Sequence, residues 1–248
     1  VFRVDEIIVY PDKSGKGKQK DGDLIALLLS YLETPQYLRK RFFKLDPRLQ
    51  YAGVLPPLRT PHHPLNRKAR RLKVGEYREG VTSGKSKDGL LVDIGVETPA
   101  VMRETQWALG KRLTVQVVSV DERVEVQAVS RDEVPSYWGY RVKRENRGFG
   151  RLVEEGKFDL VVATSKIGVK FVDVAEKMGE QWGNSDYTLV AFGAPARGLH
   201  EIVADEGLDL DVLVDFVVNM VPEQGTATVR TEEALFASLA VLNVKFGW

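Results

Sequence analysis

The pattern of apolar and polar positions changes period along the chain. Residues 4–10, VDEIIVY, predict a buried strand. Residues 11–22, PDKSGKGKQKDG, carry no apolar anchor and predict a loop. DLIALLLSYLE, residues 23–33, has helical spacing with Asp23 placed as its N-cap. TPQYLRKRFFK predicts a second helix, with Thr34 as cap and Pro35 at its first position. LQYAGVL reads as a short strand, and PPLRTPHHPLNRKARRLK as a Pro- and Arg-rich connector.

Between residues 75 and 135 the period shortens. GEYREGVT, GLLVDIG, TPAVM, KRLTVQVVSV and RVEVQAVS are short β patterns parted by Gly, Lys and Asp turns. Strands so closely spaced, with no long helix among them, predict a small barrel of the oligonucleotide-binding type. After Pro135 strands and helices alternate again. YWGYRV, FDLVVATS, YTLVAFGA and DFVVNMV are strands; ENRGFGRLVEE, VKFVDVAEKMG (closed by Gly179) and residues 231–246 are helices. Near-continuous apolar strands alternating with helices predict an α/β domain, its parallel sheet covered on both faces. The expected division is therefore 1–72 and 136–248 as two parts of one α/β domain, with 73–135 inserted as the β-barrel. The abrupt start on a strand adds the expectation that further residues precede Val1.

Composition narrows the chemistry. The 248 residues include no cysteine, which excludes disulfides, thiolate metal sites and Cys nucleophiles and fits a reducing compartment. No apolar run approaches the length needed to cross a bilayer. The net charge of +1 hides an asymmetry: residues 1–74 hold 16 Lys+Arg against 7 Asp+Glu. A basic first third suggests a surface for a polyanion. The candidates are Lys13, Lys16, Lys18 and Lys20 in the first loop, Arg39, Lys40 and Arg41 on the second helix, and Arg59, His62 and His63 in the connector. No carboxylate cluster accompanies the paired histidines, so no metal site is expected.

Two motifs are set aside. GVTSGKS, residues 80–86, is one residue short of a phosphate loop and precedes a strand rather than a helix. Trp138 and its neighbours in YWGYRVKR could stack bases, but packing at a domain seam is the plainer account. Loops after three strands, TSKIG, FGAPARGL and PEQGTATVR, lie where open α/β sheets bind ligands. They match no dinucleotide fingerprint, and their glycines suit a backbone-lined pocket for an adenine-like group. His200, following the second loop, either lines that pocket or belongs to a helix start.

YLETPQYLRK, PLRTPHHP, GEYREG, YWGY, VVATS, FGAPARGL and VPEQGTATVRTEEA together resemble the SPOUT methyltransferase superfamily, in its branch of RNA methyltransferases shared by archaea and eukaryotes. The resemblance implies a first strand and helix before Val1, a carboxyl-terminal trefoil knot, an inserted barrel and a dimer, with either an identical chain or a SPOUT paralogue. It implies S-adenosylmethionine as cofactor and RNA as substrate, in particular rRNA or a pre-ribosomal particle. It places the protein inside the cell, in the nucleus or nucleolus if eukaryotic and otherwise in the cytoplasm. The cofactor-binding positions carried over are Thr164 and Ser165; Phe192, Gly193, Pro195, Gly198 and Leu199; and Asn219, Val221, Pro222, Gln224, Gly225, Thr228 and Val229. Arg230 and Glu232 are the catalytic candidates. Ala194 and Glu223 stand where the family has glycine, so a left-handed backbone at Glu223 would cost about 1–2 kcal/mol. A non-catalytic RNA-binding assembly factor is the alternative that these two positions raise.

Overall fold

The computed structural model describes residues 1–12 and 18–247. Its elements in chain order are β1 Glu6–Val9, α1 Lys18–Glu33, α2 Gln36–Phe42, β2 Tyr77–Ser86, β3 Gly89–Asp93, β4 Ala100–Met102, β5 Arg112–Ser119, β6 Glu125–Val129, β7 Arg141–Arg144, α3 Phe149–Glu155, β8 Leu160–Lys170, α4 Phe171–Trp182, β9 Thr188–Ala191, α5 Leu199–Ala204, α6 Leu210–Leu213, β10 Phe216–Asn219 and α7 Thr231–Phe246. They fall into two compact units, one of residues 1–2, 8–23 and 143–248, the other of residues 3–7 and 24–142. Residues 24–72 thus group with the short β strands.

In that second unit the strands close into a barrel in the order β2-β3-β4-β6-β5. All pairings are antiparallel except β4 with β6. Inward positions such as Leu90, Val92, Ala100, Val115, Val117 and Val126 form the core. Each such side chain contributes about 1.5–3 kcal/mol by leaving water.

The other unit carries a parallel sheet in the order β10-β8-β9. Alternation along β8 sends Val161 and Ala163 into a core shared with α3, α5 and α6. Leu160 and Val162 point the other way, into a core with Phe171, Ala175 and Met178 of α4 and Leu242 of α7. The sheet is covered on both faces, as its apolar strands predict. β1 and β7 make a separate two-stranded ladder.

Several local expectations are corrected. The LQYAGVL stretch is a pair of 3-10 turns, Pro47–Leu49 and Ala52–Val54, the first opened by the Asp46 carboxylate accepting from the Arg48 amide. Asp23 lies inside α1, and its carboxylate pairs with Arg144 at 2.9 Å. Thr34 does not cap α2; its hydroxyl donates back to the Ser30 carbonyl at 2.9 Å. α4 runs past Gly179 to Trp182. The short helices α5 and α6 lie beyond the reach of periodicity, with 6 and 4 residues.

Candidate functional site

The site begins with an irregularity in β8. β10 pairs with β8 at Val162 and Ala163, then resumes at Val169 and Lys170. Residues 164–168 therefore leave the ladder as an arm. Gly168 permits this, because a Cβ there would lie 2.6 Å from the Val217 carbonyl oxygen. Thr164 ties the base of the arm to β9, donating to the Ala191 carbonyl at 2.9 Å.

The second wall follows β9. The Tyr10 hydroxyl donates to the Phe192 carbonyl at 2.6 Å. Arg197 pairs with Asp12 at 3.0 Å and with Asp205 at 2.8 Å, which pins the turn from both sides. A Cβ on Gly193 would meet the Arg197 carbonyl oxygen at 2.8 Å, so the turn closes only around glycine. The third wall follows β10. The Asn219 carboxamide donates to the Lys166 carbonyl and accepts from the Val221 amide, joining the third loop to the arm.

These three walls and α7 enclose a cavity of about 280 Å³. Of the positions expected to hold a cofactor, Thr164, Ser165, Phe192, Gly193, Pro195 and Gly198 line it. So do Asn219, Val221, Gln224, Thr228 and Val229. Leu199, Pro222 and Gly225 do not; Leu199 is fully buried in the core of α5. Arg230 and Glu232 are likewise not among the lining residues, whereas Thr231 between them is. The Arg230 amide instead donates to the Glu233 carboxylate at the start of α7.

Lining residues that pattern reading did not single out include Lys166, Arg197 and Ser238. Ser238 is 1% exposed, and its Oγ has no hydrogen-bond partner in the protein. A buried hydroxyl left so costs stability unless a ligand meets it. Its signal in the sequence was a lone hydroxyl in the apolar run LFASLAVL. His200 lines the cavity from the first turn of α5.

Glu223 has φ +58°, the left-handed region expected to disfavour it. Its side chain does not enter the cavity. It is 84% exposed and meets Lys170 Nζ at 3.0 Å. Ala194 lines the cavity and adopts no positive φ.

The basic candidates divide. Lys13 and Lys16 lie outside the described residues, as does the side chain of Lys18. Lys20, Lys40, Arg41 and Arg59 are exposed. Arg39 is occupied: it donates to the Thr34 and Leu32 carbonyls and lies over the Tyr31 ring. His62 is a correction. It is 0% exposed, packs beside Trp138, and donates to the Glu33 carbonyl at 3.0 Å, so it cannot meet RNA. Burial pushes its pKa down to about 3, leaving the ring neutral. His63 donates to the same carbonyl at 2.8 Å.

Trp138 packs within the barrel-bearing unit, its indole N–H donating to Glu79 at 2.7 Å. Glu79 also accepts from Thr114 and from Arg112, and Arg112 forks onto Glu33. The Glu79 carboxyl is held below its ordinary range: burial opposes its charge, but Arg112 and the donated hydrogen bonds outweigh that. Among the described residues no cluster of His, Cys, Asp and Glu could hold a metal ion, and no helix is long and apolar enough to cross a membrane.

A parallel sheet whose strand-end loops converge on one cavity defines a small-ligand site of the α/β kind. Comparison with known proteins specifies the class. Residues 1–242 match the family described as "Putative RNA methyltransferase", and the chain belongs to that family. It is 34% identical to a Drosophila melanogaster protein named 28S rRNA (uridine-N(3))-methyltransferase, over 99% of this chain and 56% of that protein. A mouse protein of the same name is 34% identical, over 98% of this chain and 67% of its own length. An uncharacterized Halobacterium salinarum protein is 33% identical, over 98% of this chain and 88% of its own. The chain thus spans little more than half the length of the fly relative.

Proposed function

We propose that this chain is an S-adenosylmethionine-dependent rRNA methyltransferase of the SPOUT class, acting on a base nitrogen. The observation that carries the reading is the convergence of three strand-end loops on one cavity, with the orphaned Ser238 hydroxyl in its wall. The family match and the names of the fly and mouse relatives supply the substrate class.

The lining fits an adenosine-containing molecule. The glycine-permitted turn at residue 193 and Gly198, which has no side chain, leave backbone open to a ligand. Phe192, Val221 and Val229 give apolar surface for a heterocycle, and Ser238, Thr164 and Gln224 give polar groups. When bound, S-adenosylmethionine supplies an electrophilic methyl group on a sulfonium sulfur. The chain's share of the work is then to hold that methyl in line with the acceptor atom; orientation of this kind accounts for much of the rate.

The same reading includes finer expectations. The carboxyl part forms the trefoil knot, and the barrel at 73–135 is an oligonucleotide-binding insertion; its strand order with one parallel pairing supports the latter. Lys40, Arg41 and Arg59 contribute an RNA-facing surface on the barrel-bearing unit, and Lys20 is a separate RNA contact on the sheet-bearing unit. The chain dimerises, with itself or with a paralogue, through α7, whose Phe236 is 60% and Leu235 41% exposed. It works in ribosome biogenesis, in the nucleolus if eukaryotic. The alternative, a non-catalytic assembly factor, drew on Ala194 and Glu223. The Glu223 side chain turns outward to Lys170, so obstruction of the cavity by it no longer argues for that reading, while its left-handed backbone and Ala194 in the lining still do.

The experiment is transfer of a labelled methyl group from S-adenosylmethionine to deproteinised rRNA, alongside calorimetric titration of the cofactor. Saturable binding with label recovered in a base is expected. Binding without transfer to any rRNA would favour the assembly-factor reading.

A further inference from the structure

Ser165 and His200 reach the cavity from different elements, the β8 arm and α5. Ser165 Oγ lies 3.4 Å from His200 Nδ1, and His200 Nε2 lies 3.4 Å from Asp211 Oδ2 on α6. The hydrogen-bond roles follow from the partners. Ser165 Oγ accepts the Ile167 amide proton at 3.4 Å, so its own proton is free to point at Nδ1. An ionised Asp211 only accepts, so Nε2 carries the ring proton. The imidazole is thereby set in the tautomer whose lone pair, on Nδ1, faces a hydroxyl of the cavity wall. Catalytic hydrogen bonds are often this long before substrate binds and tighten in the substrate complex.

Of the other ionisable groups of the lining, the Glu201 carboxylate can accept, but it is turned to a cation. Lys166 and Arg197 are donors. Glu201 faces Arg197 Nε at 3.5 Å. The charged groups around the imidazole are Asp211 on α6, which faces Nε2, and the lining residues Glu201 on its own helix, Arg197 just before that helix and Lys166 on the arm.

Resting on the methyltransferase reading, we propose that Ser165 and His200 form the proton-accepting relay for the methylated base, with Asp211 as its positioning residue. The acceptor is a ring nitrogen that carries hydrogen, as in a uracil-type imide; a nitrogen without hydrogen needs no such relay. Ser165 Oγ takes the N–H proton as its own proton passes to His200 Nδ1. The N–H electron pair stays on nitrogen and forms the new bond to the methyl carbon. The sulfur–carbon pair goes to sulfur, giving a neutral thioether. The positive charge lost from sulfur reappears as imidazolium, facing the Asp211 carboxylate.

The test compares the wild type with His200→Gln, Ser165→Ala and Asp211→Asn by three readouts. These are calorimetric binding of S-adenosylhomocysteine, single-turnover methyl transfer to rRNA, and ring-nitrogen NMR of the histidines. We expect cofactor affinity to hold in His200→Gln while transfer slows by about 10²-fold or more. That deficit shrinks at alkaline pH, where the base N–H ionises into solvent. The spectrum shows His200 protonated on Nε2 in the wild type and mixed in Asp211→Asn, a readout independent of turnover. Wild-type transfer rates in His200→Gln, or a ring protonated on Nδ1, overturn the relay alone. A wild-type chain that binds no cofactor or transfers no methyl overturns the methyltransferase reading and the relay with it. Should His200→Gln fail to fold, Asp211→Asn decides, since Asp211 is 67% exposed.

Discussion

One polar cluster in each unit shows a different way of burying polar groups. In the barrel-bearing unit Glu79, 5% exposed, takes hydrogen bonds from Arg112, Thr114 and Trp138, while Arg112 also clasps Glu33. In the sheet-bearing unit Ser238 Oγ has no partner, and Ser165 and His200 meet only at 3.4 Å. Both arrangements contain groups that chemistry could use. The first cluster spends its carboxylates on donors of the protein itself and serves the fold. The unfilled one is where a ligand completes the hydrogen bonding. Polar burial alone does not mark a site; unfinished polar burial at a cavity does.

The largest effect expected from this contrast is on stability. Arg112→Met takes the nearest cation from two buried carboxylates, Glu33 and Glu79, with side-chain exposures of 7% and 5%, leaving Arg131 at 3.6 Å to Glu33 and the Thr114 and Trp138 hydrogen bonds to Glu79. Loss of about 3–5 kcal/mol is expected in urea denaturation. A loss below about 1 kcal/mol would mean that the network is not holding α1 to the barrel strands.

The next prediction concerns acid. His62 has its pKa pushed down to about 3 by burial, from an ordinary 6.5. Below 6.5 the unfolded chain binds a proton that the folded chain refuses, so stability falls with pH by up to about 1.4 kcal/mol per unit. Glu79, held low by Arg112 and its hydrogen bonds against its burial, adds its own loss only further down, below its ordinary 4.5. Thermal melts of His62→Gln, which retains a donor for the Glu33 carbonyl, should therefore be flatter between pH 6.5 and 4.5 than wild type. Equal slopes would show that His62 does not titrate as described.

Glu223 sharpens the comparison from the cavity side. Glu223→Gly relieves the left-handed strain but frees the unfolded chain, for a net gain of about 1 kcal/mol or less. Its exposed pair with Lys170 is worth little by comparison. Cofactor affinity should not change, because the side chain lies outside the cavity. A large gain in affinity would restore Glu223 as an obstruction.

Most of the fold was legible because the strands announce themselves by period. Four of the five barrel strands, β3 to β6, fall within the segments that alternation marked; β2 runs on past GEYREGVT to Ser86, and α7 runs over 231–246 as its apolar content predicts. The strand-end loops were legible too, since ligand sites in parallel sheets follow the carboxyl ends of strands. Three things were not. α5 and α6 are too short to show a helical period. The burial of His62 depends on Glu33, 29 residues away, and on Gly139, whose Cβ would lie 2.4 Å from the ring. The approach of Ser165, His200 and Asp211 depends on an arm leaving β8, which no local pattern encodes.

The central claim is that the cavity beside Ser238 takes S-adenosylmethionine. Titration of the cofactor into wild type, Ser238→Ala and Ser238→Leu tests it most directly. The account predicts one-site binding to the wild type and folding stability equal to or above wild type in Ser238→Ala, since a partnerless buried hydroxyl costs the fold. It predicts affinity weakened by about 0.5–1.5 kcal/mol in Ser238→Ala, and binding lost in Ser238→Leu, whose side chain fills the cavity. No binding to the wild type at millimolar cofactor, or unchanged binding in Ser238→Leu, would contradict it.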